Sequence, residues 1–430
     1  MTTGIKQSGM DSLNFSCRGE SHIATGKVCQ DYSYSKVYEN GNAIAIVCDG
    51  HGGKRYFRSN IGAKIAAEVA ECMVSAFIAE VGLALLKEAP FTRCGTISEQ
   101  ISNQDFGKTS DTERAFRQLF SSIIYEWNAK VLEHAKQNPI EEHEKEDLEE
   151  RWIKEFDAKE NLEKVYGCTL LACAYTPEFW FAFQIGDGKC FACDENGNWS
   201  EPIPWDERCF LNKTTSICDS SAIDEFRYCY EGFGNFPIAV ILGSDGIDDS
   251  FGAEENQANF YVQILKSIAK SGAEATLSEV ESSLPQLSKI GSQDDMSLAM
   301  VLDTERISMA IPKLIEWQIS NVRRLIAEES DKIEKANSIQ QSLELAGNMT
   351  HRNMIELQYA NADEKRAIEA RTKLESRLDA LLSEQKGKDV VAEPADDTTE
   401  EPAIESTDTA TDEQDESVQP DSTRQADDAE

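Results

Sequence analysis

Apolar residues in the first three hundred positions fall into short runs broken by turn residues, and several of those runs begin or end on an aspartate. The runs Tyr32–Tyr38 and Ala43–Cys48 flank Glu39-Asn40-Gly41-Asn42, a composition suited to a hairpin turn. Leu170–Tyr175 and Trp180–Ile185 flank Thr176-Pro177-Glu178, and Lys189–Cys193 follows ahead of the turn Glu195-Asn196-Gly197-Asn198. Hairpins in series predict antiparallel sheet rather than alternating βαβ units. Between the first and second aspartate motifs the period changes to a helical one. Asn60–Lys87 is apolar enough to cover a sheet. Thr112–Lys164 carries the charged run EEHEKEDLEERW, read as a solvated helix face, although an insert beside the site fits the same residues.

The pattern changes again after Asp303. Residues 306–388 hold almost no Gly or Pro past Pro312, and Leu374, Leu378 and Leu381 recur at helical spacing. Long helices in a hairpin or loose coiled coil are expected, with heptads too irregular to fix an oligomer. Residues 389–430 contain sixteen acids, one Arg and no aromatic residue, and carry −15 of the total charge of −36. Such a segment buries too little apolar surface to offset its ordering entropy, so it is expected to be a disordered acidic tail. The predicted division is 1–305, 306–388 and 389–430.

Charge and cysteine usage narrow the function classes. A pI near 4.5 argues against binding nucleic acid or an anionic membrane surface. All twelve cysteines lie between Cys17 and Cys229, several inside apolar runs, as expected of reduced core thiols in a cytoplasmic protein. Cys190 and Cys193 form a CxxC inside a strand, where residues three apart face opposite sides, so a zinc site is not expected there. The N-terminus lacks the basic-then-apolar order of a signal peptide, and the apolar helix after residue 60 is too charged to span a bilayer.

The chemistry sits in four acidic motifs. Cys48-Asp49-Gly50-His51-Gly52-Gly53 follows AIAIV, Gly186-Asp187-Gly188 follows FWFAFQI, Ser244-Asp245-Gly246 follows IAVILG, and Gln293-Asp294-Asp295-Met296-Ser297 precedes LAMVL. A carboxylate at a strand end stands at the rim of the sheet on a fixed backbone, and the adjoining glycine permits close approach. Singly, each is most often a turn. Converging, they make the all-oxygen donor set that magnesium or manganese prefers, which points to metal-assisted phosphoryl chemistry. No GxxxxGK[ST] loop is present, so nucleotide hydrolysis lacks its usual phosphate cradle.

With Gly19-Glu20-Ser21-His22 and Gly26-Lys27-Val28-Cys29-Gln30-Asp31 upstream, this ordered set resembles the metal-dependent protein phosphatase 2C family, especially its bacterial branch, over residues 12 to about 303. The resemblance implies an α+β fold, a four-layer α-β-β-α sandwich of two antiparallel sheets. It implies two magnesium or manganese ions, a third weaker site, and a serine/threonine phosphoprotein substrate hydrolysed by water activated between the metals. Carried over by position, Asp49 bridges both metals with the Gly50 carbonyl as a further ligand. Asp245 and Asp294 each ligate one metal, and Asp295 tethers the loop. Asp187 supports the additional site, Asp31 holds metal-bound water, and His51 is the general acid for the leaving alkoxide.

Two departures accompany the resemblance. Animal members place Glu before the aspartate that Asp31 matches, whereas this chain has Gln30, a weaker ligand. The basic residue that grips phosphate in many members falls at Gly26, so Arg18 or Lys27 becomes the candidate. The alternative is a catalytically weak or inactive scaffold that binds partners, or copies of itself, through residues 306–388. Intact Asp49, Asp245 and Asp294 favour the enzyme.

Overall fold

The computed structural model describes residues 9–86, 92–96, 111–146, 148–210, 213–232, 236–345 and 350–392. Two antiparallel sheets form its centre. One has the order β1-β11-β10-β7-β8, with β1 Met10–Cys17, β7 Lys189–Cys193, β8 Trp199–Ser200, β10 Ala239–Gly243 and β11 Met296–Asp303. The other has the order β2-β3-β5-β6-β9-β4, with β2 Tyr32–Val37, β3 Ala43–Cys48, β4 Thr92–Thr96, β5 Leu170–Tyr175, β6 Phe179–Ile185 and β9 Arg227–Gly232. The expected hairpins are present: Tyr38 N–H donates to the Asn42 carbonyl at 2.8 Å, and Gly41 takes φ +83°, a conformation that favours glycine.

Side-chain size explains the stacking of the sheets. The residues they bury against each other are mostly small, among them Ala43, Ala45, Cys173, Ala182, Cys190, Ala192, Cys229 and Ala299. Small side chains let two sheets approach closely with no void to fill. The outer face of the six-stranded sheet is aromatic instead. Phe116, Phe120, Phe181, Phe183, Phe226 and Tyr228 pack there under two helices, Ser59–Phe77 (α1) and Asp111–Gln137 (α2). Phe120 and Phe226 stack at 4.5 Å, and Phe116 and Tyr228 at 4.8 Å. The five-stranded sheet is covered by Glu254–Ser271 (α3), Ala273–Ile290 (α4) and the start of Thr304–Leu345 (α5), through Ile241, Leu265, Leu284, Leu298, Leu314 and their neighbours. The fold is therefore a four-layer α-β-β-α sandwich.

The CxxC behaves as strand geometry requires: Cys190 faces the inter-sheet core and Cys193 the helical layer. The charged run beginning at Glu141 is only partly solvated. It forms the short helices Glu142–Lys145 and Glu150–Asp157, and the Glu144 carboxylate grips the Arg58 guanidinium at 2.8 and 2.7 Å.

α5 begins at Thr304, earlier than the sequence suggests, because Asp303 caps it by accepting from Arg306 N–H at 3.0 Å. A second long helix, His351–Ala392 (α6), returns beside it, and Gln340 Nε2 donates to Glu364 Oε2 at 2.7 Å across the pair. The hairpin rests on α3. Lys266 Nζ reaches Gln318 of α5 at 3.2 Å and Glu384 of α6 at 2.7 Å, while Asn259 Oδ1 accepts from Gln318 and Arg377. Residues 9–388 lie in one compact unit. The acidic tail beyond Ala392 lies outside the described residues. Among the described residues no helix is long and apolar enough to cross a membrane.

Candidate metal centre

The sheets deliver their aspartates to one rim. Asp49 leaves β3 but keeps pairing with the segment before β5: its N–H donates to Thr169 Oγ1 at 3.0 Å, Thr169 N–H donates to its carbonyl at 2.8 Å, and His51 N–H donates to Gly167 O at 3.1 Å. Gly50 is wedged between the Gln30 carbonyl and the first turn of α1. A Cβ there would meet Gln30 O at 2.4 Å, so the motif tolerates no side chain. Asp245 opens the single turn Asp245–Asp248 after β10, and Ser244 locks that turn to β11, its N–H donating to Ser297 O at 3.0 Å and its Oγ accepting from Ser297 N–H at 2.9 Å. The loop carrying Asp294 is held at Gln293 with φ +65°, costing on the order of 1 kcal/mol for a residue with a side chain. Asp187 follows Gly186, whose carbonyl accepts from the fully buried Arg227.

A carboxylate oxygen of each of Asp49, Asp187 and Asp245 lies within 4.8 Å of the others. These three, with Asp31, Gly50, His51 and Asp294, line a cavity of about 840 Å³. Lys27 lines it as well. Arg18 does not; its guanidinium donates to the Lys27 carbonyl at 3.2 Å. Several lining residues carried no signal in the sequence: Asp249, Arg55, Arg208, and the wall Lys213-Thr214-Thr215-Ser216 with Asp219.

Burial and mutual repulsion set the charge state of the cluster. Burial, then the Asp245 and Asp31 carboxylates, push Asp49 well above the usual carboxylate range. Asp31 is raised by burial and by Asp295 and Asp245. Burial drives Asp245 up to about 7, with Asp187 and Asp294 adding to it. The Asp187 carboxyl is raised chiefly by burial. Without a cation such a group keeps protons it would otherwise lose. A hard divalent cation fits this donor set, and buried Asp31 Oδ2 and Gln30 Oε1 have no hydrogen-bond partner among the described residues.

His51 stands beside the cluster. Its Nε2 is 2.7 Å from Ser216 Oγ, its ring meets Tyr56 edge-on at 4.7 Å, and burial pushes it down to about 4. Ser216 Oγ donates to Cys168 O at 3.1 Å, which leaves it an acceptor toward the ring and places the imidazole proton on Nε2. Asp295 also lines the cavity, but the protein itself holds both of its oxygens. Its Oδ1 accepts from Gly19 N–H at 2.6 Å, its Oδ2 from Gln30 N–H at 2.6 Å, and His22 Nδ1 is 2.9 Å from Oδ2.

The family model described as protein phosphatase 2C matches residues 18–280, well over half of the chain. The chain belongs to the protein phosphatase 2C family. No curated protein matches it. Among solved structures, a bacterial serine phosphatase is similar at 13% identity and TM-score 0.39, covering 68% of this chain and 98% of that one. The serine/threonine phosphatase Stp1 from Staphylococcus aureus is 11% identical with TM-score 0.39, over 68% of this chain and 94% of that one. The catalytic domain of the phosphatase PstP, solved with two manganese ions, is 12% identical with TM-score 0.38, over 68% and 97%.

Proposed function

We propose that this phosphatase 2C member is a metal-dependent hydrolase of phosphoserine and phosphothreonine in proteins. The observation that carries the reading is the trio Asp49, Asp187 and Asp245, with Asp31 and Asp294 in the same cavity. Asp49, the Gly50 carbonyl, Asp245 and Asp294 would hold two magnesium or manganese ions, with Asp31 turned toward their water and Asp187 supporting a third site. Bound there, such ions lower the pKa of water and neutralise charge on the phosphoryl oxygens.

The chain's own residues do the rest. The glycine-walled DGH turn fixes Asp49 and His51 relative to each other, so the leaving oxygen and the proton donor share one rigid frame. His51 is neutral in the free site. A phosphate dianion entering the cavity favours its protonated form, and the imidazolium then releases a proton to the leaving alkoxide. Lys27 meets the incoming phosphoprotein from the cavity wall, with Arg18 behind it. Residues 1–305 form the catalytic part, and the helical pair 306–388 is an appended element for packing, self-association or a protein partner.

Hydrolysis of a phosphothreonine peptide in manganese, magnesium or EDTA, beside Asp245→Asn, tests the reading. The expected result is metal-dependent turnover lost in EDTA and in the variant. Absence of turnover in a folded, metal-loaded protein would overturn it in favour of the scaffold. His51→Gln should lower turnover of the phosphopeptide by about a hundredfold while sparing p-nitrophenyl phosphate, whose leaving group needs no proton.

A further inference from the structure

The residue before Asp31 offers a second reading of its own chemistry. In sequence, Gln30 looks like a weakened metal ligand. In space the nitrogen of its side-chain amide is occupied while Oε1 keeps no partner among the described residues: Nε2 donates to Ser59 Oγ at 2.6 Å and to the His51 carbonyl at 3.1 Å. A carbonyl only accepts, so the atom facing His51 must be the amide nitrogen, and the orientation of the amide follows from chemistry. The backbone of the same residue faces the other way, its N–H donating to Asp295 Oδ2 at 2.6 Å. Its carbonyl presses on Gly50, where a Cβ would meet it at 2.4 Å.

Those contacts join parts of the rim that come from different sheets. Asp295 precedes β11 of the five-stranded sheet, whereas His51 follows β3 of the six-stranded one. Ser59, fully buried, is the first residue of α1. Gly19 N–H and His22 hold the remaining positions around Asp295, so residues 19–30 clasp one loop while the Gln30 amide clasps the other.

We propose that Gln30 is a positioning residue, a staple that sets the spacing between the Asp294-Asp295 loop and the Asp49-His51 loop through its backbone N–H and its side-chain NH₂. It deepens the phosphatase reading and rests on it for the meaning of the site. The role requires a hydrogen-bond donor at the end of the side chain. Glutamate, the residue of a better ligand, presents only acceptors when ionised and would set an oxygen against the His51 carbonyl.

The two roles therefore predict opposite signs for Gln30→Glu. The test is manganese titration by calorimetry at pH 8, with hydrogen exchange of the metal-free protein, on wild type, Gln30→Glu and Ser59→Ala. Ser59→Ala removes one partner of the amide without touching a carboxylate. The staple predicts manganese affinity about tenfold weaker in Gln30→Glu, as for outer-shell partners generally, and a smaller loss in Ser59→Ala. It also predicts faster exchange over residues 49–53 in both, with thermal melting showing each variant folded. Tighter manganese binding by Gln30→Glu, or unchanged protection around His51 in both variants, would overturn the proposal. Should wild type bind no manganese, the metal reading fails by itself and exchange around His51 alone decides the staple.

Discussion

The rim and the helical hairpin solve opposite problems with the same kinds of side chain. At the rim, acids are gathered and buried: Asp31 and Asp295 are under a tenth exposed, and Asp49 and Asp245 are held among like charges. In the hairpin, acids are spread along two 42-residue helices, mostly in water and often paired within one helix, as Arg324 is with Glu328 and Arg366 with Asp363. Spread charge costs little and contributes little. Concentrated charge destabilises the free fold and becomes favourable only when a counter-charge arrives. The comparison separates the two regions by what a cation would do: at the rim it would offset gathered like charges, and along the hairpin it would find them already spread or paired.

The largest expected effect breaks the rim. Asp245→Asn should cut metal-dependent turnover by more than about a hundredfold, beyond the range seen for outer-shell partners. It should also leave the metal-free protein no less stable than wild type, because it removes a buried like charge. Turnover rates and urea midpoints measured on the same preparation check both halves. A variant that lost activity together with stability would mean that Asp245 holds the fold rather than a cation.

Next come packing changes that ask whether the two regions unfold together. Phe116→Ala, in the aromatic layer against Phe77, Phe181 and Tyr228, should cost about 3–5 kcal/mol. Leu381→Ala, where α6 meets the helices over the five-stranded sheet, should cost about 2–3 kcal/mol. If the hairpin belongs to the catalytic core, both shift one cooperative transition in urea. If it is separable, Leu381→Ala creates an earlier transition and leaves the main one in place.

The charge state of the rim predicts a pH dependence with a definite sign. Carboxyls raised by burial hold protons in the folded protein that the unfolded chain has already released. Their contribution is fully present below the ordinary carboxylate range and is lost as pH rises toward about 7, the value for Asp245. The metal-free protein should therefore lose melting temperature between about pH 4.5 and 7.5. Manganese should restore more of it at the upper end, where the ligands are ready to ionise. Thermal scans with and without EDTA across that range measure it. A flat metal-free profile would mean that water reaches the carboxylates.

Much of this contrast is legible in sequence, for a physical reason. A rim carboxylate is announced locally, since Asp49, Asp187 and Asp245 each directly follow or lie within two residues of a strand, and Asp294 lies two before one. The wall opposite is not announced. Ser216 reaches His51 across 165 residues, and a serine in a loop has no pattern that marks it. The hairpin is half legible. Its helices show in the scarcity of Gly and Pro past Pro312, but its seam carries Ala336, Gln340, Ala360, Glu364 and Ala367, spaced by three and four. Alanine and paired polar groups fill close-packed positions without adding hydrophobic signal, so the repeat looks irregular when read by hydropathy alone. Gln30 was visible as a departure from the family, yet its hydrogen bonds lie in the tertiary structure.

The smallest effect sharpens the comparison at the place where the two regions touch. Lys266 of α3 spans Gln318 on α5 and Glu384 on α6, with its side chain 15% exposed and that of Glu384 34% exposed. The pair is neither a solvated surface bridge nor a buried one. Glu384→Gln keeps a hydrogen-bond acceptor and removes the charge, so the loss should be about 0.5–1 kcal/mol and should shrink in high salt. Lys266→Met removes the donor to both helices and leaves Glu384 with water access, so it should cost about the same. A double mutant no worse than either single one would place the energy in the pair itself. Additive losses would instead assign it to Lys266–Gln318 and to the methylene stem of Lys266, making the hairpin a packed layer whose charges are incidental. In that case the rim would be the one described region of this chain where electrostatics, rather than packing, decides what the structure does.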